Sequence, residues 1–410
     1  MSARHRHGFP RGFLWGAATA AHQVEGGNVN SDCWALEHAV PSLFAEPSGD
    51  AVDQYHRFAE DAGIVAGLGL NAYRFSIEWA RIEPEPGHFS AAALGHYRRC
   101  IEACLARNLA PVVTFHHFTQ PRWMARRGGI GSADFPARFA DYCGIAARAL
   151  DGLAAACTIN ELNLPVVAGR YFQERASPEA RSAAERALGA PLSAFFLFAE
   201  HEAIVGNALA AHSLASAAIR VERPDVPVGM TLAISEETAE PGAEVHVEAR
   251  RARCYVPFLD AAAADDFIGI QTYSRTMWRA NGSAGAASGA PVTSMGWEDR
   301  PQALGNVCRW VASRWRTPII VTENGYAGDD DRRRAEFITA AVDGVAEAIA
   351  AGADIRGYFY WSLLDNFEWL FGYRQRFGLV TVDRTTQQRT IKPSAAALSA
   401  AALAGENCRS

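Results

Sequence analysis

The sequence predicts an α/β fold: a single (β/α)8 TIM barrel with elaborated βα loops, one domain over 1–410 with its core at about 9–404. Three observations carry this expectation. Short β-branched or aromatic runs alternate with helix-period stretches along the whole chain, the pattern of parallel strands joined by crossover helices. Eight such runs occur, with no composition shift that would mark a linker. Carboxylates, amides and aromatics recur just after the runs, where parallel α/β folds place their chemistry.

In chain order, residues 13–17 (FLWGA) form the first expected strand. Tyr55, Phe58, Ala62, Val65 and Leu68 then fall on one helical face that stops at Gly69. Residues 71–76 are the second strand, and Leu94, Tyr97, Ile101 and Leu105 mark the helix after it. The third strand is 111–115, and a helix through Phe135, Phe139, Tyr142 and Ala149 leads to the fourth, 156–160. An Ala-rich helix is expected over 191–223, then a fifth strand at 226–233 and a sixth at 266–271. The Gly/Ala/Ser-rich residues 280–291 read as a flexible loop. Residues 319–322 form the seventh strand, Ile338, Val342, Val345 and Ile349 the next helix face, and 356–361 the eighth strand.

Composition narrows the function classes. The chain is 49% hydrophobic, enough for a large core, and 39 basic against 45 acidic residues leave a net charge of −6. That balance argues against nucleic acid or an anionic membrane as partner. Eight cysteines (33, 100, 104, 143, 157, 254, 308, 408) show no CxxC spacing, so no metal site is expected and reduced thiols are the default. His5-Arg6-His7 is too small a cluster to argue a metal site. The first ten residues lack the apolar core of a signal peptide, and no apolar run is expected to reach membrane-spanning length. The expectation is a soluble cytoplasmic protein.

Two strands end in an acid: Thr158-Ile159-Asn160-Glu161 and Val321-Thr322-Glu323-Asn324-Gly325. One such Glu alone reads as a helix cap or loop acid. Two at equivalent strand ends read as paired carboxylates, the working parts of glycoside hydrolysis. Around them the other strand ends supply Gln23 and Glu25, Arg74, His116 and His117, Tyr273, and Trp361 with Glu368 and Trp369. Polar groups suit sugar hydroxyls, and aromatic rings suit the apolar faces of a pyranose.

With those residues in view, the chain resembles glycoside hydrolase family 1, the β-glucosidase family. The likeness is carried by residues 13–26 (FLWGAATAAHQVEG), 73–82 (YRFSIEWARI), 158–161 (TINE), 321–325 (VTENG) and 357–369 (GYFYWSLLDNFEW), in that order. The resemblance implies Glu323 as nucleophile and Glu161 as acid/base of a retaining mechanism, the two roughly 5 Å apart. It implies that Arg74 lies beside Glu323 and holds it ionised, with Tyr273 donating to the same carboxylate. Gln23, His117, Asn160, Glu368 and Trp369 form the implied sugar-binding set, with Asn160 on the 2-hydroxyl. His116 is implied to be packing, Phe377 a pocket wall, and Trp361 a platform beside the aglycone or a core aromatic.

Departures from the family pattern are Leu162 after the acid/base Glu, Phe118-Thr119 after the histidines, and Gln271-Thr272 before Tyr273. Glu161 argues against the thioglucoside-cleaving branch, which carries Gln there, and Glu368 would repel the phosphate of a phospho-sugar. The implied activity is a retaining exo-β-glycosidase hydrolysing terminal non-reducing β-D-glucosyl residues, with β-galactosidase or β-fucosidase side activity and a place in cellulose degradation. A transglycosylating or natural-product-specific β-glycosidase using the same residues is the alternative. No cofactor is needed, since two carboxylates and water complete the cycle, and the expected partners are small-molecule β-glycosides or oligosaccharides.

Overall fold

A computed structural model describes residues 8–199, 201–282 and 284–407; His5-Arg6-His7 and Cys408 lie outside the described residues. Eight parallel strands close into a barrel. They are Leu14–Ala18, Ala72–Ser76, Ala110–His116, Ala155–Ile159, Val228–Ala233, Phe267–Gln271, Ile319–Asn324 and Ile355–Trp361. The last strand closes on the first, with Leu14 beside Gly357 and Ala18 beside Trp361. All eight expected strands are present, displaced by no more than two residues at either end.

Side-chain alternation along each strand divides the core in two. Ala18, Ala72, Val112, Cys157, Phe267, Ile320 and Phe359 fill the barrel. Trp15, Tyr73, Phe75, Val113, Phe115, Val321 and Tyr358 point outward beneath the helices. Gly16 belongs to the interior set, and its missing side chain makes room for Phe359. A Cβ there would lie 2.4 Å from the Phe359 ring and 2.8 Å from the Ala72 carbonyl. Helices Gln54–Gly67, Ala91–Leu105, Phe135–Ala149, Gln302–Ala312 and Asp331–Ala350 cover the outer face. Ser90 and Asp330 accept an N–H from the first turn of the second and fifth of these, the usual satisfaction of orphan donors.

Two expectations need correction. The helix expected over 191–223 begins at His201, and residues 192–194 and 196–198 are single 3-10 turns. Phe195, Phe196, Leu197 and Phe198 are all buried. Four consecutive apolar side chains have no single face to lay on a core, so this segment is enclosed rather than docked. Ahead of it stand two helices absent from the sequence expectation, Leu164–Arg175 and Pro178–Leu188, the latter capped by Ser177 and stopped by left-handed Gly189.

The second correction concerns apolar length. Residues Ile204–Glu222 have a mean hydropathy of 1.3 and are long and apolar enough to cross a bilayer by length and composition. In the fold this helix packs on Phe135–Ala149 and on the barrel. Ile204, Ala208, Ala211, Ala215 and Ile219 are buried at spacings of three and four, a stripe of mostly methyl groups that lets the helix approach closely.

Gly16→Ala should lower the unfolding free energy by about 1–3 kcal/mol, because the added methyl meets both a ring and a backbone oxygen. An unchanged urea midpoint would show that the barrel interior has slack at this layer.

Candidate active site

Glu323 lies near the carboxyl end of the seventh strand with both carboxylate oxygens engaged. Arg74, from the second strand, donates through Nη1 to Glu323 Oε1 at 2.6 Å and to the Thr322 carbonyl at 3.2 Å. Tyr273 donates its phenol to Glu323 Oε2 at 2.6 Å. The second arm of Arg74, Nη2, reaches Asn160 Oδ1 at 2.5 Å. That oxygen also receives Gln271 Nε2 at 2.9 Å and the Thr231 hydroxyl at 3.3 Å. Asn160 Nδ2 in turn meets His117 Nε2 at 3.2 Å. Six of the eight strands are thus tied to one another by side chains on them or just after them, and Gln271, a departure from the family pattern, is part of the tie.

Glu161 follows Asn160 and lines the same cavity of about 120 Å³ as Glu323. Its backbone is left-handed, with φ +45. A non-glycine residue there costs about 1–2 kcal/mol. Two hydrogen bonds offset that cost: the Glu161 N–H donates to the Thr231 hydroxyl at 2.9 Å and the Leu162 N–H to the Thr231 carbonyl at 3.0 Å. Leu162 is fully buried. Among the described residues no hydrogen bond holds the Glu161 carboxyl, so the two acids sit in one cavity with opposite surroundings.

His117, Trp361, Glu368, Trp369 and Phe377 line this cavity as well. His117 stacks between Trp361 at 5.6 Å and Trp369 at 6.1 Å. Trp361 thus lines the cavity that holds both acids. Gln23 is fully buried and its amide donates to Glu368 Oε2 at 3.3 Å and the Phe367 carbonyl at 2.8 Å. Gln23 Oε1 has no partner among the described residues. His116 packs among Phe135, Phe139 and Phe196, as the resemblance implies.

Phe118 and Trp369 share the left-handed backbone of Glu161, with φ 70 and φ 47. Their rings touch at 5.2 Å. Trp297 is a site residue that the sequence reading missed. It lines the cavity and meets Tyr273 at 5.5 Å and Phe377 at 6.2 Å. Its signal was slight: a Trp after a glycine, at the far end of the Gly/Ala-rich loop.

Burial governs the titration of the site. It pushes Glu323 above the usual carboxylate range, against the lowering by Arg74 and by the hydrogen bonds from Tyr273 and Arg74. Arg74 limits that rise, its charge favouring the ionised form of Glu323. Glu161 is raised well above its ordinary value by burial, then by the Glu323 charge, with Glu368 adding to it and Arg74 alone opposing. Of the two, Glu161 retains the proton and Glu323 gives it up first. Glu368 is pushed up to about 8 by burial and by Glu323, against its bond from Gln23. His117 is held neutral by burial and by Arg74.

Behind Trp369, which stacks on His22 at 5.8 Å, lies a buried group that cysteine spacing could not reveal. His22, Cys33 and Glu37 bring one potential ligand atom each within 4.8 Å of one another. Glu37 accepts from Ser48 at 2.6 Å and faces His22 Nε2 at 3.3 Å, so its oxygens are already engaged. The seven described cysteines are free and buried.

Comparison with known proteins agrees with this geometry. The family model for glycosyl hydrolase family 1 matches residues 5–287 and 262–404. Thermostable beta-glucosidase B of Thermobispora bispora is 33% identical over 94% of this chain and 89% of its own. A bifunctional beta-D-glucosidase/beta-D-fucosidase of Bifidobacterium breve is 32% identical over 94% of this chain and 96% of its own. The crystal structure of beta-glycosidase BGL167 superposes with a TM-score of 0.92 at 49% identity, covering 97% of each chain.

The raised Glu368 carboxyl has a consequence for stability. Between its ordinary value of 4.5 and about 8 the folded protein holds a proton there that the unfolded chain does not. That contribution is present at low pH and is lost as pH rises through this window. Glu368→Gln should remove it, so the variant gains on the wild type between pH 5 and pH 8 by about 2–4 kcal/mol. Urea midpoints of the two proteins that run parallel across this range would contradict the assignment.

Proposed function

The chain belongs to glycosyl hydrolase family 1, and we propose that within it this protein is a retaining exo-β-glycosidase acting on terminal β-D-glucosyl residues. The observation that carries the reading is the contrast between two carboxyls in one cavity. Glu323 is gripped at both oxygens, while the Glu161 carboxyl accepts no hydrogen bond from the described residues and is raised well above its ordinary pKa. A fixed, ionised carboxylate is suited to attack, and a carboxyl that keeps its proton is suited to give it.

In the first step Glu161 donates its proton to the glycosidic oxygen as that bond breaks, and a Glu323 oxygen bonds to the anomeric carbon. The alcohol leaves and an ester joins sugar to enzyme. Esterification removes the Glu323 charge, which removes one cause of the elevated Glu161 pKa. Glu161 then takes a proton from water, whose oxygen displaces Glu323 with a second inversion. In this reading Asn160, pinned by Arg74, Gln271 and Thr231, holds the 2-hydroxyl, and Glu368 and Gln23 the hydroxyls farther from the bond. The names of the relatives favour glucose and leave room for fucose. Seven buried free thiols support a cytoplasmic location.

Glu323→Gly should abolish release of the aglycone from aryl β-glucosides, and added azide should restore it with α-glucosyl azide as product. Glu161→Ala should slow hydrolysis of a glycoside with a poor leaving group by ~10²–10⁴-fold, with azide giving the β-azide. Azide products of the opposite configuration would exchange the two roles. With the wild type, NMR should find the β-anomer of glucose first; early α-glucose would exclude double displacement.

A further inference from the structure

Three consecutive N–H groups fix the chain where it leaves the fourth strand. Asn160 donates to the His116 carbonyl at 2.8 Å, and Leu162 to the Thr231 carbonyl at 3.0 Å. Both of those acceptors belong to the backbone, so every residue type offers them. The middle N–H, that of Glu161, donates instead to the Thr231 hydroxyl at 2.9 Å. A side chain thus serves the one residue of the three whose φ, at +45, is left-handed.

Packing aims that hydroxyl. Thr231 is fully buried on the fifth strand, in register with Gly269 of the sixth. A Cβ at Gly269 would lie 2.6 Å from the Thr231 methyl, so the glycine leaves the space that this methyl fills. A β-branched side chain has few χ1 choices, and with its methyl lodged there the hydroxyl is directed to the end of the fourth strand. The hydroxyl proton has two acceptors within reach, Asn160 Oδ1 at 3.3 Å and Gln271 Oε1 at 3.4 Å. Donation to either leaves the oxygen lone pairs free for Glu161.

The Glu161 carboxyl accepts no hydrogen bond from the described residues, so its direction depends on its backbone and on the cavity walls. Turning the peptide that carries it would move the carboxyl off the glycosidic oxygen, and a misplacement of ~1 Å can cost ~10²-fold in rate. Thr231 itself lines neither the cavity that holds both acids nor the one beside it. We propose that Thr231 is a positioning residue for the proton donor, acting through the backbone of Glu161 and not on the substrate. The proposal rests on the glycosidase reading above and adds a residue to its first step.

The test compares two aryl substrates, phenyl and 2,4-dinitrophenyl β-D-glucoside, on the full-length enzyme. Phenol needs the Glu161 proton to leave, whereas 2,4-dinitrophenolate departs without it. In Thr231→Val, kcat/KM for the phenyl compound should fall by ~10–100-fold, and for the dinitrophenyl compound by less than about 3-fold. Thr231→Ser keeps the hydroxyl and should return the ratio of the two to within about 3-fold of the wild type. Each ratio is measured on one preparation, so any inactive fraction cancels, and Thr231→Ala carries the same expectation as Thr231→Val where the latter does not fold. Equal losses on both substrates, no loss on either, or a Thr231→Ser variant that behaves like Thr231→Val overturns the proposal and leaves the glycosidase reading standing. A chain that folds only with Thr or Ser at this position makes the hydroxyl a requirement of the fold, and that too overturns it. A wild type that cleaves neither glucoside overturns both.

Discussion

Arg74 carries a permanent positive charge inside a closed barrel, with 1% of its surface exposed, and the site above it is arranged around that fact. An unpaired guanidinium at such depth would cost several kcal/mol, so its donors must find acceptors. Its Nη donors find Glu323 on one side and Asn160 on the other, at the ends of the seventh and fourth strands, while Nε has no partner among the described residues. One buried cation therefore sets the position of the proposed nucleophile and of the amide beside the proposed acid. The same desolvation that makes the pair strong also keeps Glu323 from being an ordinary low-pKa carboxylate.

The two acids are separated in character by their surroundings and not by their chemistry. Glu323 receives a cation and a phenol, while Glu161 receives no hydrogen bond from the described residues and feels the charge of Glu323. Glu368 lies near enough to both to raise Glu161, and it is itself raised to about 8. Three acids compete for protons around one cavity, and Arg74 is the buried cation that favours ionisation of Glu323. The acid with the most help ionises first, and the division of labour follows from that order.

Backbone geometry contributes where side-chain chemistry does not. Glu161, Phe118 and Trp369 adopt left-handed conformations in the segments that follow three different strands, and all three line the cavity. Local hydrogen bonds to Thr231 hold the first of these, and ring packing surrounds the other two. Glu161 also lines a second cavity, to which the helix that begins at Leu164 contributes Leu164, Val167 and Ala168.

The eight strands, and which of them end in acids, were legible because short β-branched runs and a terminal carboxylate are local signals read within a few residues. Arg74, Glu161 and Glu323 were named for the same reason, with the ordered motifs supplying their roles. The start of the helix at His201 was not legible, because Phe195 to Phe198 are apolar on every side and periodicity has nothing to grip. Nor was Trp297, a single aromatic on a long loop, or the contact of Trp361 with His117. By itself the sequence determined the strands, their order and the chemical groups at their ends. The tertiary structure alone decided that burial outweighs Arg74 at Glu323, that Glu161 stands where two cavities meet, and that Gln271 helps to hold Asn160. Those outcomes depend on distances between residues up to 249 positions apart, as for Arg74 and Glu323, and on the water excluded when they meet, which no local pattern encodes.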